Sequence, residues 1–127
     1  MLDYEFTILR DKSVIVLDLT GTITLSVLVE AAEKIYSHPD YDADFDTIID
    51  QRHANFEISF SELLVYVDRM IKDARRLRGD TVFVAEKPVN YGMARMYENM
   101  EADDIPDSIF YAKTVDEAFE ILRDRKK

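Results

Sequence analysis

Tyr4, Phe6 and Ile8 alternate with more polar neighbours, the period-two pattern of a strand with one face exposed. Residues 13–19 are nearly all apolar and β-branched, which predicts a strand buried on both faces. Arg10-Asp11-Lys12 reads as the turn between them, so the chain opens with an antiparallel hairpin. After Thr20-Gly21-Thr22-Ile23-Thr24 the period lengthens. Leu25, Leu28, Val29, Ala32, Ile35 and Tyr36 fall on one face of a helix that Thr24 can cap and that stops at Ser37-His38-Pro39.

An acidic loop, 40–44, leads to a third strand at 45–50. The next helix starts at Ser59 or Ser61, and Phe60, Leu63, Leu64, Val67, Ile71 and Ala74 make its buried stripe. Arg75, Arg76 and Arg78 read as its last turn, where the helix dipole favours cations, with Gly79 as its stop. Residues 81–85 form the fourth strand. Asn90 caps a third helix that buries Met93, Met96, Tyr97 and Met100. Residues 108–112 form the fifth strand. Thr114 and Glu117 have the spacing of a capping box for a last helix, with Val115, Ala118, Phe119 and Leu122 facing inward.

The expected fold is α/β: one domain spanning 1–127, in the order β-β-α-β-α-β-α-β-α, with a mixed, mostly parallel five-stranded sheet. Parallel strands end on one side, so the loops after strands two to five gather on one rim, where α/β sheets bind ligands.

Composition narrows the function. With 127 residues a sizeable core can be buried, and the absence of cysteine excludes disulfides, thiolate nucleophiles and cysteine metal sites. A net charge of -10 opposes nucleic-acid binding and docking on anionic membranes. No apolar run approaches the roughly 20 residues of a membrane span, and the acidic start lacks the parts of a signal peptide, so a cytoplasmic protein is expected. No glycine-rich phosphate loop is present, since Gly21, Gly79 and Gly92 lie far apart. Asp40, Asp42, Asp44 and Asp46 do not make a calcium loop: counting from Asp40, Phe45 stands where glycine is needed and Gln51 where glutamate is needed. No metal or cofactor is expected.

The phrase Val16-Leu17-Asp18-Leu19-Thr20-Gly21-Thr22-Ile23-Thr24 resembles the opening of the STAS-like proteins, the group of bacterial anti-sigma-factor antagonists and sulphate-transporter tail domains. The second half resembles an uncharacterised branch described as SpoIIAA-like or STAS/CRAL-TRIO-like, through His38-Pro39 to Asp50-Gln51-Arg52, Asn90-Tyr91-Gly92-Met93-Ala94-Arg95-Met96-Tyr97, and Thr114-Val115-Asp116-Glu117-Ala118-Phe119. The resemblance covers nearly the whole chain. It implies a non-enzymatic regulatory or ligand-binding domain, with a kinase or an anti-sigma factor as the expected kind of protein partner. In the antagonists a serine follows the aspartate that ends the third strand and is phosphorylated by the partner kinase. Here Gln51-Arg52 follows Asp50, and the first serines are Ser59 and Ser61, where a phosphate near a helix N-terminus is tolerated.

The rim should collect Asp50, Arg52, His53, Lys87, Asn90, Tyr91, Arg95 and Lys113. One reading is a small-anion site: backbone N–H groups near Asn90 to Gly92, a charge-assisted contact from Arg95 or Arg52, and the Tyr91 hydroxyl, with Asp50, His53 and Lys87 behind them. The plainer reading is an internal ion pair of Asp50 with Arg52 or Arg95. A third is an enzyme using Asp50 and His53 as a general base. Met93, Met96 and Met100 could also line an apolar groove for lipid, although helical spacing fits core packing better. An uncovered apolar helix face would imply a homodimer.

Overall fold

The computed structural model describes residues 3–86 and 109–125. Seven strands and three helices are described: β1 (Tyr4–Leu9), β2 (Val14–Leu19), β3 (Thr22–Ile23), α1 (Leu25–Tyr36), β4 (Asp46–Asp50), β5 (Asn55–Phe56), α2 (Phe60–Lys72), β6 (Thr81–Val84), β7 (Ile109–Ala112) and α3 (Val115–Arg125). The main sheet has the order β1-β2-β4-β6-β7. β1 runs antiparallel to β2, and the other pairs are parallel. The mostly parallel five-stranded α/β fold is therefore the one the sequence predicts. The expected third helix, with Asn90, Met93, Met96, Tyr97 and Met100, lies outside the described residues.

Alternation along the strands creates two cores. Tyr4, Ile15, Leu17 and Leu19 pack with Ile23, Ala31 and Ile35 on the α1 side. Val14, Ile48, Val82, Val84 and Ala112 pack with Ala118 and Leu122 of α3 on the other. Ile15, Ile48 and Val82 are wholly buried. Each contributes roughly 1.5–3 kcal/mol of apolar burial against the entropy of ordering the chain.

The caps follow the sequence. Val27 N–H donates to the Thr24 hydroxyl at 3.4 Å. In α2 Ser59 and Glu62 form a complete capping box. At α3 Glu117 N–H donates to Thr114, but the Glu117 carboxylate reaches Lys113 N–H instead of that of Thr114.

Four local features differ from expectation. Residues 20–24 and the loop after β4 contain a parallel mini-sheet, β3 with β5, too short for periodicity to mark. The core face of α1 includes Ala31, while Ala32 faces a shallow groove against α2 with Val29, Tyr36, Tyr66 and Met70. Leu64 and Val65 on α2 are exposed, and Ala74 lies past the helix end, exposed as well.

Finally, α2 stops at Lys72, well before Gly79. Asp73 is extended, and its carboxylate takes the Arg75 N–H at 2.8 Å, a local bond that competes with continuing the helix. Arg75 instead bridges Asp73 and Glu33 of α1 and lies over the Tyr36 ring. The role of Gly79 is close approach: a Cβ there would collide with the Phe45 carbonyl.

Candidate functional site

The C-terminal ends of β2, β4, β6 and β7 form the rim. Asp50 closes β4 in the middle of the sheet, opposite Asp18 on β2 and Val84 on β6. Its carboxylate folds the following turn. Oδ1 accepts the Arg52 backbone N–H at 3.1 Å and Arg52 Nε at 2.9 Å, and Oδ2 accepts Arg52 Nη2 at 2.7 Å. This fork is a two-residue device, since an aspartate readily takes the backbone N–H two positions on, and a guanidinium matches both carboxylate oxygens. The Asp50 side chain is 6% exposed and that of Arg52 25%, so the pair is partly desolvated.

Backbone bonds brace the same turn. Gln51 N–H extends the ladder to the Val84 carbonyl, Ala54 N–H closes back on the Gln51 carbonyl, and Asn55 N–H bonds Gly21.

Electrostatics separate the two aspartates. Burial pushes the Asp50 carboxyl up, but hydrogen bonds and charge from Arg52 overcome this and hold it below the ordinary carboxylate value. Asp18 is pushed up, first by burial and then by the Asp50 charge, with Glu5 adding to it and His53 and Arg52 opposing. At this end of the sheet Asp18 Oδ1 and Gln51 Oε1 are buried without a hydrogen-bond donor among the described residues.

The expected ion pair of Asp50 with Arg52 is thus present. His53 is exposed and acts on both Asp18 and Asp50 through its charge. Lys87, Asn90, Tyr91, Gly92 and Arg95 lie outside the described residues. Ser59 is exposed at the N-cap of α2, and Ser61 is exposed in its first turn.

Sequence reasoning missed Glu5, which acts on Asp18, and Asp18 and Glu86, whose charges act on Arg52. The signal for Asp18 was available as a lone charge in the apolar run 13–19. Its partner was not, because strand order decides which residue stands opposite.

The acidic loop is structural. Asp42 accepts Asp44 N–H, Asp44 pairs with Arg78, and Asp46 accepts Asp80 N–H. Among the described residues no group of three histidines, aspartates or glutamates could hold a metal ion, and no helix is long and apolar enough to cross a membrane.

No protein-family model matches the chain, and no curated protein matches it in sequence. Solved structures match it in fold. An uncharacterized DUF3478-family protein with a SpoIIAA-like fold from Shewanella loihica PV-4 superposes with a TM-score of 0.61 at 10% identity, covering 94% of this chain and 91% of that one. The anti-sigma factor antagonist SpoIIAA in its unphosphorylated form superposes with a TM-score of 0.58 at 15% identity, covering 98% and 99%. The chain has a SpoIIAA-like fold.

Within the SpoIIAA-like fold of this chain, Asp50 and Ser59 stand at the two ends of one connection, 51–58, that leads from the rim into α2. Leu64 and Val65 then present apolar surface on the helix that this connection positions.

Proposed function

We propose that the protein is a non-enzymatic regulatory domain that acts in the bacterial cytoplasm by binding a partner protein, an anti-sigma factor or its kinase. The observation that carries this reading is the correspondence with the antagonist SpoIIAA along almost the full length of both chains. The rim and α2, with exposed Leu64 and Val65, are the proposed contact surface.

The chemistry at Asp50 supports binding over catalysis. A general base works best with a pKa near the operating pH. Asp50 has both oxygens committed to Arg52 and is held below the ordinary carboxylate value, away from neutrality. The exposed quarter of the Arg52 side chain keeps a small anion, with Asn90, Tyr91, Gly92 and Arg95, as the second reading. The carboxylates of Asp18, Asp50 and Glu86 around Arg52 work against it electrostatically.

The test is reconstitution with the anti-sigma factors and serine kinases encoded in the source genome, read by size-exclusion chromatography and, for Ser59 and Ser61, by phosphopeptide mass spectrometry. A stoichiometric complex weakened by substituting Leu64 and Val65 is expected. Absence of any complex, together with stabilisation by phosphate or carboxylates in a thermal-shift screen, transfers the assignment to the anion. Turnover in a hydrolase or lyase panel that Asp50→Asn abolishes overturns both.

A further inference from the structure

Asp18 is the charged residue of β2, and the sheet sets it between two other carboxylates. The antiparallel register puts it opposite Glu5 of β1, and the parallel register opposite Asp50 of β4. Directly opposed residues share a face, and neighbouring strands lie about 5 Å apart. Glu5, Asp18 and Asp50 therefore stand abreast on one face at the rim. Like charges so placed are destabilising.

Compensation is unequal across the row. Arg52 gives its backbone N–H, Nε and Nη2 to Asp50. Glu5 is exposed to solvent. Asp18 has one oxygen buried with no donor. An ionised Asp18 would leave that oxygen unsatisfied beside two like charges, whereas a proton supplies a donor and removes the repulsion. The charged groups that face Asp18 are Glu5 from β1, Asp50 from β4, and Arg52 and His53 from the turn after β4. Arg52 is already committed to Asp50, His53 is exposed, and neither donates a hydrogen bond to the buried Asp18 oxygen.

We propose that Asp18 and Asp50 form a carboxylate pair that holds one proton, on Asp18, while Asp50 stays ionised on Arg52, and that this proton controls the rim. When it leaves, a second carboxylate draws on the same guanidinium. Arg52 has a quarter of its side chain in solvent and so has room to move, and the turn that it folds is the element biased. The pair goes beyond the regulatory reading and stands whichever partner the rim meets.

Carbon-detected NMR of the aspartate carboxyls against pH, with the Arg52 Nε–H signal followed in parallel, tests this. Asp18 should titrate above the ordinary carboxylate range, and the Arg52 signal should move with the same midpoint. In Asp50→Asn the Asp18 midpoint should fall, because the like charge has gone and Arg52 Nη2 loses its partner. Asp18→Asn, which keeps the shape of the side chain, should melt above the parent at neutral pH, and the gain should vanish in acid. An Asp18 midpoint at or below the ordinary value, an Arg52 signal blind to that titration, or an Asp18→Asn variant melting below the parent at neutral pH overturns the proposal.

Discussion

Asp50→Asn tests whether the fork with Arg52 organises the rim. Asparagine keeps Oδ1, which can still accept the Arg52 backbone N–H and Nε. The amide Nδ2 replaces Oδ2 and faces Nη2 donor to donor, so the 2.7 Å bond is lost. A hydrogen bond to a charged group contributes about 1.5–3 kcal/mol net. Two effects reduce this: a quarter of Arg52 is solvated, and the like charge opposite Asp18 disappears. The expected loss is about 1–2 kcal/mol at neutral pH. Asp50→Ala, which also removes the bonds at Oδ1, should cost about 3 kcal/mol.

The pH dependence has a definite sign. Because Asp50 in the folded state lies below its ordinary value of 3.8, its contribution is fully present above that pH and is lost as pH falls through the folded value. Urea denaturation of parent and Asp50→Asn from neutral pH into acid should show the difference shrinking below about pH 4. Equal stabilities at neutral pH, or a difference that persists unchanged in acid, would refute the role given to the fork.

Further outcomes follow from the packing. Gly79→Ala puts a methyl group against the Phe45 backbone and 2.8 Å from Asp46 Oδ1, so it should cost about 1–3 kcal/mol in chemical denaturation. Gly21→Ala meets the movable end of the Asp3 side chain instead and should cost less than about 1 kcal/mol. Ser59→Ala removes one half of the α2 capping box and should lower stability by about 1 kcal/mol. Ser59→Asp, which can still cap, should recover most of it. Burial first, and the Asp73 charge next, push the Tyr36 phenol up to about 12. Alkaline phenolate absorbance should show its late ionisation, with stability falling as pH rises from 10 through that value.

The fold was legible where local chemistry and tertiary packing agree. The apolar run 13–19 could only satisfy its backbone and bury both faces inside a sheet, and it became β2. Thr24, Ser59 and Thr114 were readable as caps because a hydroxyl at a helix start satisfies N–H groups that nothing else can reach. The end of α2 was not readable. Its apolar period runs on past Lys72 to Ala74, and the cationic residues after it mimic a last turn. Asp73 instead spends its carboxylate on the backbone of Arg75, and a local bond of this kind leaves no trace in hydrophobic periodicity. Ala31 and Ala32 differ for a related reason. A shift of one position is 100° around a helix, and the direction of the sheet settles which alanine faces it.

The candidate site divides along the same line. Asp50 and Arg52 are two residues apart, so their fork is local and its residues could be named in advance. Asp18 reaches Asp50 only because β4 pairs with β2, a choice made by the whole sheet. The consequence is mechanical as well as electrostatic. From Asp50 a continuous series of bonds runs through Arg52, the Ala54 N–H to the Gln51 carbonyl, the Asn55 N–H to Gly21 and the Glu57 N–H to Ile23, and ends two residues from the Ser59 cap. A turn braced in this way ties the start of α2 to the rim through hydrogen bonds. The same connection therefore joins Asp50 at the sheet edge to the helix that carries the exposed Leu64 and Val65.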